Sequence, residues 1–266
     1  LKEWFMRKTI GVTIILLALF VSADAVEKVE KLDARTIIQR VNDRDDGKDS
    51  YAKVDMLITD RSGITQARSM ISAVKDFGTL SKSYIRFTSP ASIDGTGFLS
   101  WQVEGKDDEQ FLYLPELGRE RRIASSQKDA DFVNTDFTYE DMQERNVDKD
   151  THKILREEKL GTYDCWVIES IPIDPKTSQY KRWVAWVPKG IYLPLRVDYY
   201  TRVLRQPTKI FTARRLEKIS GIWTAKEAEM KNFERNTMTV LRTNEIKYNK
   251  GLPDRMFSRA YLKQIR

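Results

Sequence analysis

Apolar and polar residues alternate with a period of two through segment after segment of this chain. That regularity confines most of it to extended strands. Residues 97–104 show it most cleanly, with Leu99, Trp101 and Val103 on one face and Ser100, Gln102 and Glu104 on the other. Residues 53–59 repeat it with Val54, Met56 and Ile58, and residues 81–88 with Ile85 and Phe87. Further strands follow at short spacing, punctuated by turns at Arg61-Ser-Gly63, Pro115-Glu-Leu-Gly118, Asp174-Pro175, Lys189-Gly190 and Ser220-Gly221. The expected total is about ten or eleven, and such spacing argues an antiparallel sandwich or barrel.

Three stretches depart from the pattern. Asp33 can accept from the free N–H groups of a first helical turn, and Ile37, Ile38 and Val41 then form an apolar stripe. Residues 125–150 are acidic and aromatic, with 139–145 the most helical part. Pro253-Asp254 opens a terminal helix carrying Met256, Phe257, Ala260, Tyr261 and Ile265. Ten strands with one apolar face are too many for three short helices to cover. The sheet must therefore curl, with helices filling or capping what remains. The fold class is mainly β: an antiparallel, unclosed barrel with a few helices as lid or plug, in one domain spanning 26–266. The residues expected to line its apolar hollow are Met56, Ile58, Ile85, Phe87, Leu99, Trp101, Val103, Leu195, Val197, Tyr199 and Met230.

The first residues read as an address. Lys2, Arg7 and Lys8 precede the apolar run 10–21, and Ala23-Asp24-Ala25 places small residues where a signal peptidase reads. The run falls short of the roughly 20 apolar residues of a membrane span. Cleavage is expected after about Ala25, releasing a periplasmic protein that begins at Val26 with a net charge of about +6. No Cys follows the apolar run, so the chain is not expected to be a lipoprotein itself.

Composition removes much chemistry. A single Cys, Cys165, excludes an internal disulfide and any Cys-cluster metal site; a single His, His152, excludes a His-pair site. The modest positive charge suits anionic headgroups or acidic partners, not nucleic acid. No cofactor or metal motif is found. Gly95-Thr-Gly97 lacks the Gly-Lys-Ser/Thr of a phosphate loop, and Ser125-Ser126 lacks the glycines of a nucleophile elbow. Asp129, Asp131, Asp136, Glu140 and Asp141 lack calcium-loop spacing and read as a solvated loop or a contact for a basic partner. Trp183 and Trp186 fall on opposite faces of one strand.

Three long blocks carry a family likeness: Gly95-Thr-Gly-Phe-Leu-Ser-Trp101, Gln110-Phe-Leu-Tyr-Leu-Pro-Glu-Leu-Gly-Arg-Glu-Arg-Arg-Ile123 and Asp131-Phe-Val-Asn-Thr-Asp-Phe-Thr-Tyr-Glu-Asp-Met142. With the closing Leu252-Pro-Asp-Arg-Met-Phe257, the chain resembles the outer membrane lipoprotein-sorting, LolA-like family. The resemblance implies an unclosed β-barrel, a helical lid, and carriage of lipid or lipid-modified protein through the periplasm. It also implies an arginine that latches the lid, for which Arg119, Arg121 and Arg122 are the candidates; the same cluster could hold a headgroup phosphate. Partners would be acyl chains, an inner-membrane transporter and an outer-membrane acceptor, met by a monomer.

Burial energetics agree with that role. Each acyl CH₂ hidden from water is worth roughly 0.8 kcal/mol, so a sixteen-carbon chain costs on the order of 12 kcal/mol to expose. The function expected is non-enzymatic carriage of lipid or lipoprotein acyl chains in the hollow. One alternative is a lipid-sensing regulator or accessory of a membrane pump. Another is an enzyme acting on envelope lipids, against which the missing nucleophile–base pair stands.

Overall fold

The computed structural model describes residues 32–201 and 205–264. The expected leader, its cleavage point at Ala25 and Ile265 lie outside the described residues.

Among the described residues, thirteen strands form one antiparallel sheet. Six come in the first half: β1 (Asp49–Thr59), β2 (Thr65–Phe77), β3 (Leu80–Ser89), β4 (Gly97–Trp101), β5 (Glu109–Leu114) and β6 (Arg119–Arg122). Seven follow: β7 (Asp150–Leu160), β8 (Tyr163–Pro172), β9 (Arg182–Pro188), β10 (Arg196–Tyr200), β11 (Lys209–Ile219), β12 (Ile222–Asn232) and β13 (Thr237–Tyr248). Within each half every strand pairs with its sequence neighbour, and the β1–β13 ladder joins the halves. β6 and β7 are the two edges and do not pair with each other, so the barrel stays unclosed. The strand number exceeds the expected ten or eleven, and the short segment Arg119–Arg122, expected as a strand, pairs along its whole length with β5.

Register assigns the two faces, since residues opposed across a ladder share a side. On one side Leu112 opposes Phe98, and Phe98 opposes Ile85. Phe87 opposes Met70, which opposes Val54, and Met56 opposes Leu241. The same side continues through Met230, Phe211, Val197, Ala185 and Ile168, each opposed to the next. This inner face is one apolar floor running across the sheet.

Helix α1 (Ala34–Asn42) covers one end of that floor. Asp33 caps it, accepting from Thr36 N at 2.7 Å, and Ile37 is buried against the Ile168, Ala185 and Val197 cluster. The outer face of β2–β5 carries Ala73, Tyr84, Leu99, Phe111 and Tyr113 beneath a C-terminal strap. The strap was expected as a regular helix. Instead it is a 3₁₀ turn, Asp254–Phe257, followed by one α-turn, α2 (Arg259–Leu262). Its shape follows its anchors. Asp49 accepts from the backbone N–H groups of Lys250, Gly251 and Leu252, Arg86 donates to the Tyr261 and Leu262 carbonyls, and Trp101 Nε1 donates to Phe257 O. Leu262 is fully buried where Gly97 has no side chain; a Cβ there would stand 2.7 Å from Leu262 Cδ1. Ala260, expected on the packed face, is exposed.

Candidate functional site

The long connection from β6 to β7, residues 123–149, crosses the inner face and fills its centre. It contains 3₁₀ turns at Ser125–Gln127, Phe132–Asn134 and Val147–Lys149 and no α-helix. Residues 139–145, expected to be helical, are turns and irregular chain. Their backbone groups are engaged elsewhere: Tyr139 O accepts from the buried Gln110 Nε2 at 2.9 Å, and Glu140 N donates to Lys128 O at 2.7 Å.

Aromatic rings seat this plug. Phe132, 1% exposed, lies 5.0 Å from Phe98, 5.8 Å from Tyr139 and 6.3 Å from Phe87, centroid to centroid. Polar bonds then pin it. Asp136 accepts from Thr239 Oγ1 at 2.8 Å, from Thr237 and from Arg235. Lys209, almost completely buried, pairs with Asp141 Oδ2 at 3.0 Å and donates to Asp136 O at 3.1 Å. Tyr180 OH donates to Asp141 Oδ1 at 2.7 Å, and Glu140 accepts from Ser178 and from Gln179 N. Arg68 on β2 donates to Val133 O at 2.6 Å. Val133 and Asn134 both sit at positive φ, 48° and 58°. For a β-branched residue that conformation is strained, so the pins hold the plug against local backbone preference.

Cavities flank the plug. One, of about 210 Å³, lies beside α1 with Ile38, Val41, Trp183, Val197 and Tyr199 among its walls. Another, of about 560 Å³, lies beside Val133 and Asn134.

Burial, followed by the Asp141 charge, holds the Tyr180 phenol well above its ordinary range. The unfolded chain therefore loses this proton first as pH rises. Stability from the neutral phenol is complete below about pH 10 and falls as pH climbs beyond it. Melting temperatures between pH 9 and 11 should drop more steeply for the wild type than for Tyr180→Phe; parallel curves would remove Tyr180 from the account.

A protein-family model described as "-like: Uncharacterized protein" matches residues 79–264. A DUF1329 family protein from Desulfovibrio piger shares 33% identity over 86% of this chain and 97% of its own, with a TM-score of 0.80. The chain belongs to the DUF1329 family. A domain named for outer membrane lipoprotein sorting, from Vibrio parahaemolyticus, superposes at the same TM-score of 0.80, with 30% identity over 87% of this chain and 98% of its own. A LolA superfamily protein from Nitrosomonas europaea shares the fold at a TM-score of 0.65 and 20% identity, over 87% of this chain and all of its own. No curated protein matches the chain.

In this DUF1329 protein the residues expected to line one hollow divide between the faces. Met56, Ile58, Ile85, Phe87, Val197, Tyr199 and Met230 belong to the inner face or pack against its clusters. Leu99 and Trp101 lie on the outer face under the C-terminal strap. The reason is that β4 is buried on both sides, and Phe98 holds the inner position. Val103 lies beyond β4 in the turn that follows and is half-buried. Leu195 joins a separate outer cluster with Cys165, Val167, Val184 and Trp186. Trp183 and Trp186 do take opposite faces.

Of the candidate arginines, Arg119 and Arg121 oppose Leu114 and Leu112 and so face inward on the β6 edge. Arg122 is on the other side, 2.7 Å from Glu109. From strand β2, Arg68, two residues before Met70, reaches the plug backbone at Val133 O; that spacing was the available signal. Four of the five acidic residues read as loop serve as pins or braces: Asp131 pairs with Arg235, and Asp136, Glu140 and Asp141 are tied as above. Among the described residues no three metal-capable side chains converge.

Proposed function

We propose that this DUF1329 protein is a non-enzymatic periplasmic carrier, exported by cleavage after about Ala25, that takes up acyl chains of lipids or lipid-modified proteins on its inner face. The observation that carries the reading is the cover of that face. A continuous apolar floor is occupied at its centre by residues 123–149, held through aromatic seating, hydrogen bonds and a strained turn rather than by a second sheet. Such a cover can leave without disturbing the ladders beneath it, and acyl chains replace its rings at roughly 0.8 kcal/mol per buried CH₂. The likeness to a lipoprotein-sorting domain supports the same reading. Cargo would arrive from an inner-membrane transporter and leave to an outer-membrane acceptor.

The test is purification from the periplasm without detergent, followed by native mass spectrometry and lipid extraction. A stoichiometric acyl lipid or lipopeptide is expected. Lipid-free protein that also fails to enhance an apolar fluorescent probe would overturn the carrier role.

A further inference from the structure

Arg68 is a half-buried cation of the inner face with no carboxylate partner among the described residues. It leaves β2 on the inner side, opposite Met56, with its guanidinium 5.9 Å from the centroid of Phe87. Of its five N–H donors, Nη1 alone has an acceptor among the described residues, the Val133 carbonyl. Neighbouring cations are treated differently. Lys209 has Asp141, Arg145 has Asp150 in a bidentate pair, and Lys128 and Lys149 share Asp107. Burial pushes the Arg68 pKa below its ordinary value, and no carboxylate opposes that. A half-buried guanidinium without an anion is costly to keep.

The cavity of about 560 Å³ is where this charge is presented. Arg68 is the cation of its lining and Glu116 the carboxylate, and among the described residues the two form no ion pair. Ser92 and Asn134 add polar groups to the lining, while Ile93 and Leu114, which pack against the apolar core, continue it toward the floor. Its size falls within the range of small-molecule sites.

We propose that Arg68 binds an oxyanion, phosphate or carboxylate, with the apolar remainder of the ligand directed along Ile93 and Leu114 into the hollow. A guanidinium meets such a group with two parallel hydrogen bonds. That a lipid headgroup carries the oxyanion rests on the carrier reading; an oxyanion site as such does not.

The experiment compares dihexanoyl phosphatidic acid with dihexanoylglycerol, which has the same chains and no phosphate. Inorganic phosphate is titrated in parallel, and all three are run on wild type and Arg68→Gln. Glutamine keeps an N–H for Val133 O, and a thermal melt checks that the variant folds; Arg68→Lys, which keeps the charge, is the second variant. Wild type should bind the phosphatidic acid about tenfold or more tightly than the glyceride. Arg68→Gln should abolish that difference, with any change that comes through the plug moving both amphiphiles alike, and Arg68→Lys should retain part of the difference. Equal affinities in the wild type, or a preference that survives Arg68→Gln, would overturn the proposal and leave the carrier reading standing. If neither amphiphile binds, the carrier reading fails, and phosphate decides the site alone. Thermal stabilisation of the wild type by phosphate, lost in Arg68→Gln, supports a free-anion site; no stabilisation overturns it.

Discussion

Phe132→Ala should weaken the fold by about 3–5 kcal/mol and, in the same protein, strengthen binding of an apolar probe. The first effect follows from size and burial. Phe132 is nearly inaccessible between Phe87, Phe98 and Tyr139, and removing a buried phenyl ring costs about that much through lost transfer energy and the void left behind. The second follows from the plug's position on the apolar floor. If plug and cargo compete for the same surface, loosening the plug raises apparent affinity as it lowers stability. Urea denaturation and titration with a lipophilic fluorophore read the two separately. A core residue with no gating role would lose stability and leave the probe unmoved, and that pattern would sink the competition model.

Lys209→Met carries the second large effect. The lysine and Asp141 are 5% and 3% exposed at their side chains, so removing the cation strands a buried carboxylate. Breaking a buried pair from one side destabilises by about 3–5 kcal/mol, whereas replacing both partners by apolar groups is often close to neutral. The double variant Lys209→Met with Asp141→Leu should therefore recover much of the loss, less the bonds that Thr138 N and Tyr180 OH make to Asp141. Chemical denaturation of the two single variants and the double variant measures the coupling. Additive losses would mean the pair does not act as a unit.

The legible part of this molecule is local. Val54, Met56 and Ile58 share a face because they are two residues apart, and the helix after Asp33 is set by its cap and its Ile37 stripe. Alternation identifies a face without saying which cover it meets. Leu99 and Trp101 illustrate this: the segment is strongly patterned, yet Phe98 faces the plug while Leu99 and Trp101 face the strap. A strand buried on both sides reads the same from either direction. The plug was legible as an interruption, acidic and aromatic, but not as a set of pins. Asp136 finds its threonines about a hundred residues away on β13, and Asp141 finds Lys209 on β11. Partners so distant in the chain leave no periodic trace. Arg68 left one, the two-residue spacing from Met70, but a charged residue in line with apolar ones reads as the strand's exposed end.

The seam between β6 and β7 has a mechanical consequence. All twelve ladders run between strands that are neighbours in the sheet's order, and none crosses from one edge to the other. The edges are tethered by the connection of residues 123–149, which lies across the inner face. No strand pairing joins the two edges, and the β1–β13 ladder alone joins the two halves of the sheet. Under the carrier reading, a bulky guest would therefore meet the pins of residues 123–149 before it strained any ladder of the walls.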